Sequence, residues 1–395
     1  MMKIKLLIVD NPVTEVNRLK IILKNTGYLV SQIAGSVQEG LTLMAHDNPN
    51  LVLLDAGIAE TPNGLNFADI LTKKKIAFVY LSPDASKLIL SIAKPNSAYG
   101  ILVKPFRKKD VLIMLDVATY VHRQKTLKPR IAVALSSTPQ QRVFENIIGK
   151  SQTFLDALKK ANMAGLSNMP ILIQGESGTG KELIARAIHE LSARKAGPLI
   201  VINCATLAPG LVEPEMYGYE KNPFNGMPEQ RIGKLEQANG GTILLDEIAE
   251  LPITFQAKFV RGLLEQKVKP IGGKKRIINV RVIAITNHKL EDEIQRGRFR
   301  IDLYYYLNIT PIALPSLRNR KEDISLLAKY FVALFANKAN KQIIGLSDDA
   351  LISLNNHLWP GNVRELKNLM ERCVLLANST VINSVFPPAD KDSLH

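Results

Sequence analysis

Short runs of apolar residues alternate with longer mixed segments along the first third of the chain. Four of these runs occupy residues 3–9, 51–54, 76–81 and 99–103. Each has the length of a buried strand, and the segments between them hold helical stretches, such as the one at 13–25. This alternation predicts an α/β fold with a doubly wound parallel sheet.

A polar residue follows each of these four runs at its carboxyl end. The residues are Asp10, Asp55, Ser82 and Lys104. The carboxyl ends of parallel strands meet at one edge of a sheet, so we expect the four side chains to share a crevice. We therefore treat them as one candidate site.

The pattern changes after residue 122. Residues 123–147 contain prolines, serines and paired glutamines, which predicts a linker with a short apolar element. A second set of apolar runs follows, at residues 171–174, 199–203, 242–246 and 280–286. Residues from about Pro315 to Ala377 then have an entirely helical pattern. We predict domains over 1–122, 148–315 and 316–386, with a tail at 387–395.

Composition narrows the class of protein. The chain has 395 residues, 46% of them hydrophobic, and a formal net charge of +15. It can bury two or three cores, and anionic partners such as nucleotide, nucleic acid or an acidic protein are compatible with its charge. The two cysteines indicate reduced core residues, and no apolar run is long enough for a signal peptide or a membrane span. We expect a cytoplasmic protein with no membrane partner.

A glycine-rich segment, Gly175-Glu-Ser-Gly-Thr-Gly-Lys181, stands between a predicted strand and a predicted helix. Such a loop curls its backbone N–H groups around phosphates, and its lysine reaches the β- and γ-phosphates. The alternative is a glycine-rich turn without a binding role, in which the lysine occurs by chance. The candidate ATP-binding residues are Gly175, Glu176, Ser177, Gly178, Thr179, Gly180, Lys181 and Glu182. Glu182 stands where a serine or threonine is usual, so Mg²⁺ must rely more on Asp246 and water.

An acidic pair, Asp246 and Glu247, ends the apolar run 242–246. This is the Walker B arrangement, in which Asp246 orients Mg²⁺ and Glu247 polarises the attacking water. The alternative is a solvated strand end.

Residues 148–386 resemble the AAA+ ATPase domain of the NtrC family of bacterial enhancer-binding proteins, motors that remodel RNA polymerase carrying sigma-54. The matching stretches, in family order, are GESGTGKELIARAIH, NCATL, EMYGYEK, GGTILLDEIAELP, FRIDLYYYLN, LPSLRNRKEDI and WPGNVREL. The resemblance implies a P-loop ATPase core with a helical lid, ATP and Mg²⁺ as cofactors, and a homo-oligomeric ring, by resemblance a hexamer.

The resemblance also implies roles for single residues. Asn203 matches the asparagine that holds the catalytic glutamate, and Asn287 matches the sensor I region. Arg364 matches the sensor II arginine near the phosphates. Arg300 matches one of two arginines that are offered across the subunit interface. Each could otherwise be a surface residue or a structural cap.

The sequence departs from the family at three places. The family's sigma-54 contact loop reads GAFTGA, whereas residues 222–227 read Asn-Pro-Phe-Asn-Gly-Met. The second interface arginine is Tyr306 here. No recognition helix of a helix-turn-helix follows the lid before His395, so DNA contact is expected to be indirect or non-specific. These departures bear on contact with sigma-54 and on the rate of hydrolysis.

Residues 1–122 resemble a response-regulator receiver domain, which implies a flavodoxin-like fold. Asp55 then matches the phosphoacceptor, Ser82 the switch hydroxyl, and Lys104 the phosphate-sensing lysine. Asp10 matches one of two acids that hold Mg²⁺ together with Asp55, but its neighbour is Asn11, and Ile101 replaces an aromatic residue. The implied partners are a sensor histidine kinase and a second receiver in a dimer. The alternative is a domain for packing or dimerisation only.

Two functions remain open from sequence. One is an ATP-driven ring motor that acts on sigma-54 polymerase under receiver control. The other is a non-motor regulator or scaffold that binds ATP but does not remodel the polymerase, as the altered loop at 222–227 would favour.

Overall fold

The structure of the chain is a computed structural model. It describes residues 4–10, 13–59, 61–83, 98–126, 143, 147–221 and 229–385. The altered loop at 222–227, Asn11, most of the linker and the tail at 387–395 therefore lie outside the described residues.

The amino-terminal domain is a parallel five-stranded sheet with the order β2-β1-β3-β4-β5. Its strands are β1 Ile4–Val9, β2 Tyr28–Ala34, β3 Leu51–Asp55, β4 Ala77–Ser82 and β5 Ile101–Val103. Its helices are α1 Val13–Leu23, α2 Val37–Asp47, α3 Ala56–Ala59, α4 Pro62–Lys73 and α5 Lys108–Thr126. This order is that of a flavodoxin-like fold, as predicted.

One strand of this sheet is absent from the sequence prediction. Strand β2 lies at the sheet edge, and only its two end residues are buried. Polar Ser31 and Gln32 interrupt its apolar pattern, and the Ser31 hydroxyl donates to the Leu6 carbonyl at 3.2 Å. An edge strand need not be apolar on both faces, so the search for continuous apolar runs misses it.

The second domain is also a parallel five-stranded sheet, with the order β14-β6-β13-β10-β7. Its strands are β6 Ile171–Gln174, β7 Leu199–Asn203, β10 Thr242–Asp246, β13 Arg281–Thr286 and β14 Thr310–Ala313. The short pairs are β8 Gly218–Tyr219 with β9 Arg231–Ile232, and β11 Lys267–Val268 with β12 Arg276–Ile277. The helices are α6 Gln152–Gly165, α7 Lys181–Glu190, α8 Val212–Tyr217, α9 Lys234–Gln237, α10 Ile253–Glu265, α11 Leu290–Gln295 and α12 Ile301–Leu307.

A helical domain follows the second sheet. Its helices are α13 Lys321–Lys338, α14 Asp348–Asn356 and α15 Asn362–Leu376, and strands β15 Gly345–Leu346 and β16 Val381–Ile382 pair beside them. Trp359 is fully buried among these helices, and its indole N–H donates to the Leu354 carbonyl at 2.9 Å. Within the described part of the chain, no helix is both long and apolar enough to cross a bilayer.

Helix α5 joins the two sheet domains and is called the docking helix below. The rings of Tyr120 on this helix and Tyr306 on α12 stack, with centroids 5.4 Å apart. Ile301 and Tyr305 of α12 also pack against the amino-terminal core. The first domain is thus docked on the helix that carries the predicted interface residues.

Candidate nucleotide-binding site

The glycine-rich loop connects β6 to α7, as the sequence predicts. Gly178 and Gly180 adopt left-handed backbone angles, with φ of +79° and +100°. A Cβ atom at Gly178 would lie 2.2 Å from the carbonyl oxygen of Gly361, so only glycine fits there. The loop therefore turns tightly at the amino end of α7, the kind of helix end at which phosphates bind.

The Lys181 ammonium lies within this loop. Its Nζ donates to the carbonyl oxygens of Gly175 at 2.8 Å and Glu176 at 3.1 Å. Burial lowers the pKa of Lys181, and the negative charges of Glu247 and Asp246 oppose that shift. The positive charge of Lys181 therefore interacts electrostatically with the carboxylates of Asp246 and Glu247 across the predicted site.

The two residues that flank the loop's end differ in their surroundings. Thr179 is buried, and its hydroxyl donates to the Glu176 carbonyl at 2.8 Å. Glu182 instead is exposed on the surface of α7, where its carboxylate accepts hydrogen bonds from Arg186 at 2.6 and 2.9 Å. The carboxylate of Glu182 is thus paired with a residue one helical turn further along α7.

Asp246 and Glu247 follow β10 at the same edge of the sheet as the loop. Burial raises the pKa of Asp246, which indicates a partly desolvated carboxylate. Glu247 adopts a left-handed backbone with φ of +52°, and its Oε2 accepts from the Asn287 N–H at 3.2 Å. A non-glycine residue in this region is strained, and such strain is common at functional sites.

Asn203 lies beside this pair but has a different partner. It is paired in register with Asp246 on the neighbouring strand. Its side-chain oxygen accepts from the Ala205 N–H at 3.0 Å and caps a short turn at Cys204–Thr206. Among the described residues, no hydrogen bond joins Asn203 to Glu247, whose contact is with Asn287 instead.

The helical domain contacts the loop through three residues for which the sequence predicts no separate role. The fully buried Asn362 donates from Nδ2 to Glu176 Oε2 at 3.1 Å and to the Ser177 carbonyl at 3.0 Å. Arg318 forms a two-pronged ion pair with Glu176, and these contacts lower the pKa of Glu176. The Val363 N–H donates to the Gly178 carbonyl at 3.0 Å. The lid thus contacts three consecutive residues of the loop, Glu176, Ser177 and Gly178.

Arg364 of the lid contacts the phosphate-loop residue Ser177. Its Nη1 donates to the Ser177 hydroxyl at 3.1 Å, and its positive charge acts on both Lys181 and Asp246. The side chain is exposed, so it is free to face a phosphate group above the loop.

An apolar cavity of about 330 Å³ adjoins the amino end of α7. It lies between the start of the ATPase domain and the lid, and Arg320 stacks on Phe154 at its wall, 4.4 Å from the ring centroid. Ile147, Ile148, Leu183, Leu327, Phe331 and Val363 are among its lining residues. Its mostly apolar lining beside the phosphate loop suits the base of a nucleotide. Sequence reasoning missed this cavity because its walls come from four distant segments.

The predicted interface residues lie away from this loop. Arg300 bonds to Asp302 on its own helix at 2.7 Å and to Asp110 on the docking helix at 2.7 Å. Burial acts to lower the pKa of Arg300, but the hydrogen bonds and charges of the two aspartates outweigh it, and the pKa is raised. Tyr306 is buried beneath Tyr120, and its burial raises its pKa.

The amino-terminal candidate site forms as expected at the carboxyl edge of the first sheet. Lys104 Nζ lies 2.8 Å from Asp55 Oδ2 and 3.1 Å from Asp10 Oδ2. Burial acts to lower the pKa of Lys104, but the hydrogen bonds to Asp55 and Asp10 outweigh it and raise the pKa. Ser82 is fully buried at the end of β4. The ammonium thus bridges the two carboxylates that were expected to hold a metal ion.

Fold and site together define a nucleotide-binding AAA+ P-loop domain with a helical lid, preceded by a receiver-like domain. Comparison with known families agrees: residues 147–313 match the sigma-54 interaction domain, and residues 318–389 match an AAA+ ATPase lid domain.

Relatives match along most of the chain. The regulatory protein AtoC of Escherichia coli is 37% identical over 353 residues, which are 89% of this chain and 76% of AtoC. The transcriptional regulatory protein ZraR of Klebsiella oxytoca is 34% identical, over 96% of this chain and 84% of ZraR. A crystal structure of NtrX from Brucella abortus in complex with ATP has a TM-score of 0.58 and 28% identity, and covers all of this chain and 88% of NtrX.

The chain therefore belongs to the NtrC family of sigma-54-dependent transcriptional regulators. It is a sigma-54 activator-family protein with an AAA+ ATPase domain and a receiver-like amino-terminal domain. The predicted family, fold class and nucleotide-binding function are confirmed. The assignment of single site residues remains a prediction.

Proposed function

We propose that this protein binds ATP with Mg²⁺ and hydrolyses it as an oligomeric ring, to act on RNA polymerase carrying sigma-54. The observation that carries the proposal is the meeting of Lys181, Asp246 and Glu247 at one edge of the second sheet. Lys181 would neutralise the phosphates, and Glu247 would orient the water.

The residues present fit a magnesium ion. Asp246 offers a carboxylate at a strand end, and Mg²⁺ prefers such oxygen ligands together with phosphate oxygens and water. Glu182 is occupied by Arg186, so Asp246 would hold the ion from the protein side. When bound, the ion would neutralise charge that develops on the phosphate oxygens.

Ring assembly is part of the proposal because Arg300 lies away from its own nucleotide loop. An arginine in that position can serve only the nucleotide of a neighbouring subunit. The specific ATPase activity should therefore rise with protein concentration, and a flat activity from dilute monomer upward would contradict this step.

Lys181→Ala tests the central claim. The variant should lose binding of a fluorescent ATP analogue, since the loop then lacks its only buried cation among the described loop residues 175–182. Arg186→Ala is the matched control, because it removes a cation from the exposed side of the same helix. Equal affinity of the wild-type protein and Lys181→Ala would remove the proposal.

The second candidate is a non-motor regulator that binds ATP without remodelling the polymerase. Tyr306 favours it, because the residue is neutral and is buried against the receiver-like domain where the family pattern has an arginine. An assay of open promoter complexes with sigma-54 polymerase separates the two candidates. The natural sequence at 222–227 is compared there with Gly-Ala-Phe-Thr-Gly-Ala, and equal activity of the two loops would favour the motor.

We also propose that phosphorylation of Asp55 by a sensor histidine kinase is weak. Lys104 already bridges Asp55 and Asp10, so a metal ion must compete with an ammonium for the same oxygens. Labelling with acetyl phosphate should be low, and Asn11→Asp should increase it. Strong labelling of the natural chain at Asp55 would contradict the proposal.

A further inference from the structure

A two-stranded hairpin, β11 with β12, extends from the ATPase domain and has two unlike faces. Lys267 is opposite Ile277, and Val268 is opposite Arg276. Side chains alternate between the faces of a strand, so one face carries Val268 and Arg276 and the other carries Lys267 and Ile277. Val268 is buried, which identifies the first of these as the inner face.

The inner face fixes the hairpin to the domain. Arg276 donates to both carboxylate oxygens of Glu236, at 2.8 and 2.7 Å, and also pairs with Glu220. At the turn, Gly272 has a φ of +74°, and the Ile271 N–H donates to the Gly218 carbonyl at 2.9 Å. The hairpin is therefore held by side chains and by backbone, and its outer face has a defined orientation.

The outer face is basic and exposed. Lys267 lies on it, and Lys269, Lys274 and Lys275 are exposed in the segment that connects the two strands. Lys275 pairs with Glu265 at 3.0 Å, whereas the other three lysines have no ion-pair partner among the described residues. Ile277 lies among them with 78% of its surface exposed. Three unpaired cations and an exposed isoleucine on one short hairpin suit a partner that is both anionic and partly apolar.

We propose that this outer face binds the sugar–phosphate backbone of duplex DNA. Duplex DNA carries one negative charge per about 1.7 Å of its axis, with both strands counted, so the exposed lysines of a hairpin laid on it find phosphates within reach. The major groove of DNA admits a two-stranded ribbon, and Ile277 can then contact the apolar face of a deoxyribose.

The contact is independent of base sequence. Lysine side chains reach phosphates as point charges, and phosphate contacts carry affinity without reading bases. DNA binding by this surface would therefore act in addition to the family's contact with sigma-54, and it would not require ATP hydrolysis. It would hold the protein on DNA next to the residues that lead into the loop at 222–227, since Glu220 is tied to the hairpin through Arg276.

The test uses the full chain and a fluorescent 30-base-pair duplex of mixed sequence, with binding measured by anisotropy between 50 and 200 mM salt. The test variant combines Lys267→Ala, Lys269→Ala and Lys274→Ala. The matched control combines Lys73→Ala, Lys160→Ala and Lys329→Ala, which are also exposed and remove the same charge. Retained binding of the ATP analogue verifies that both variants are folded.

We expect the test variant to bind DNA at least tenfold more weakly than the control at 100 mM salt. Its slope of log affinity against log salt should be shallower by about 2 to 3, at about 0.9 for each lost phosphate contact. Ile277→Ser alone should weaken binding without changing that slope. Equal losses in the two triple variants would overturn the proposal, and so would absence of binding at 50 mM salt. Displacement of DNA by polyglutamate at equal charge would identify an acidic protein partner instead.

Discussion

Loosening the contact between the docking helix and α12 should raise ATP hydrolysis. Asp110 holds Arg300 at 2.7 Å, and Tyr120 stacks on Tyr306 with an angle of 25° between the rings. Arg300, which we propose acts on the nucleotide of a neighbouring subunit, cannot reach it while the receiver-like domain holds it. The double variant Asp110→Ala with Tyr120→Ala removes both contacts and leaves the ATPase domain unchanged.

The size of the effect follows from the two contacts. A stacked aromatic pair contributes about 0.5–1.5 kcal/mol beyond its buried area. The Asp110 side chain is 41% exposed, so solvent screening limits its ion pair to below about 1 kcal/mol. Together they stabilise the docked arrangement by about 2 kcal/mol, which corresponds to about a 30-fold shift toward the undocked state.

Two measurements test this prediction together. Hydrogen exchange over Lys108–Thr126 and Ile301–Leu307 reports undocking, because amides at this interface exchange faster when it opens. The ATPase rate is measured against protein concentration in parallel. We expect faster exchange in both segments and half-maximal activity at a lower protein concentration.

The control is Asp47→Ala, which removes an ion pair with Lys5 on the inner strand β1 and, among the described residues, no hydrogen bond or ion pair with α12. It should change neither exchange at the interface nor ATP hydrolysis. Faster exchange in the double variant without any gain in activity would refute the idea that docking withholds Arg300. Unchanged exchange would refute the idea that these two contacts hold the domains together.

Three further predictions concern single residues. Asn362→Asp keeps a side chain suited to the left-handed backbone at this position (φ +53°) but loses two donors and adds a charge beside Glu176. ATP binding measured by titration should weaken about tenfold, whereas Asn362→Gly, which lacks the added charge, should weaken it less. Burial and the charge of Arg281 lower the pKa of His189, so folding stability should fall as the pH drops below about 6.5. In denaturant titrations between pH 7 and 5, His189→Gln should show a flatter dependence. Tyr306→Arg should raise the turnover number of ATP hydrolysis even when Tyr120→Ala has already loosened the docking contact. If the turnover number does not rise in that background, the effect of Tyr306→Arg comes from undocking alone.

The residues whose positions are predicted well from sequence are those placed by their nearest neighbours in the chain. Gly175–Lys181 and the pair Asp246 and Glu247 lie at strand ends, a turn and a helix end, and each of these has a local signature in the sequence. Lys104, Asp10 and Asp55 were also brought together correctly, because every carboxyl end of a parallel strand lies at the same edge.

The residues missed depend on contacts between distant segments. Asn362 contacts Glu176 across 186 positions of sequence, and no periodicity or spacing encodes that pairing. The base-sized cavity likewise requires the lid to fold onto the start of the ATPase domain. Asn203 illustrates the converse case, because a match to a family motif fixes its place on β7 but not its partner, which here is the backbone of Ala205.

The structure of helix α12 is the reason why we expect docking to compete with the proposed ring activity. It has seven residues, and Ile301, Tyr305 and Tyr306 all pack toward the receiver-like domain, while Arg300 precedes its first turn. A surface of this size cannot face a neighbour's nucleotide and its own docking helix at once. Tyr306, at the position of a family arginine, favours docking of the amino-terminal domain. Burial of an aromatic ring is favourable, whereas burial of a second cation there would be costly. We therefore expect the departure at Tyr306 both to weaken the proposed motor chemistry and to strengthen the contact with the amino-terminal domain, and both effects should lower activity.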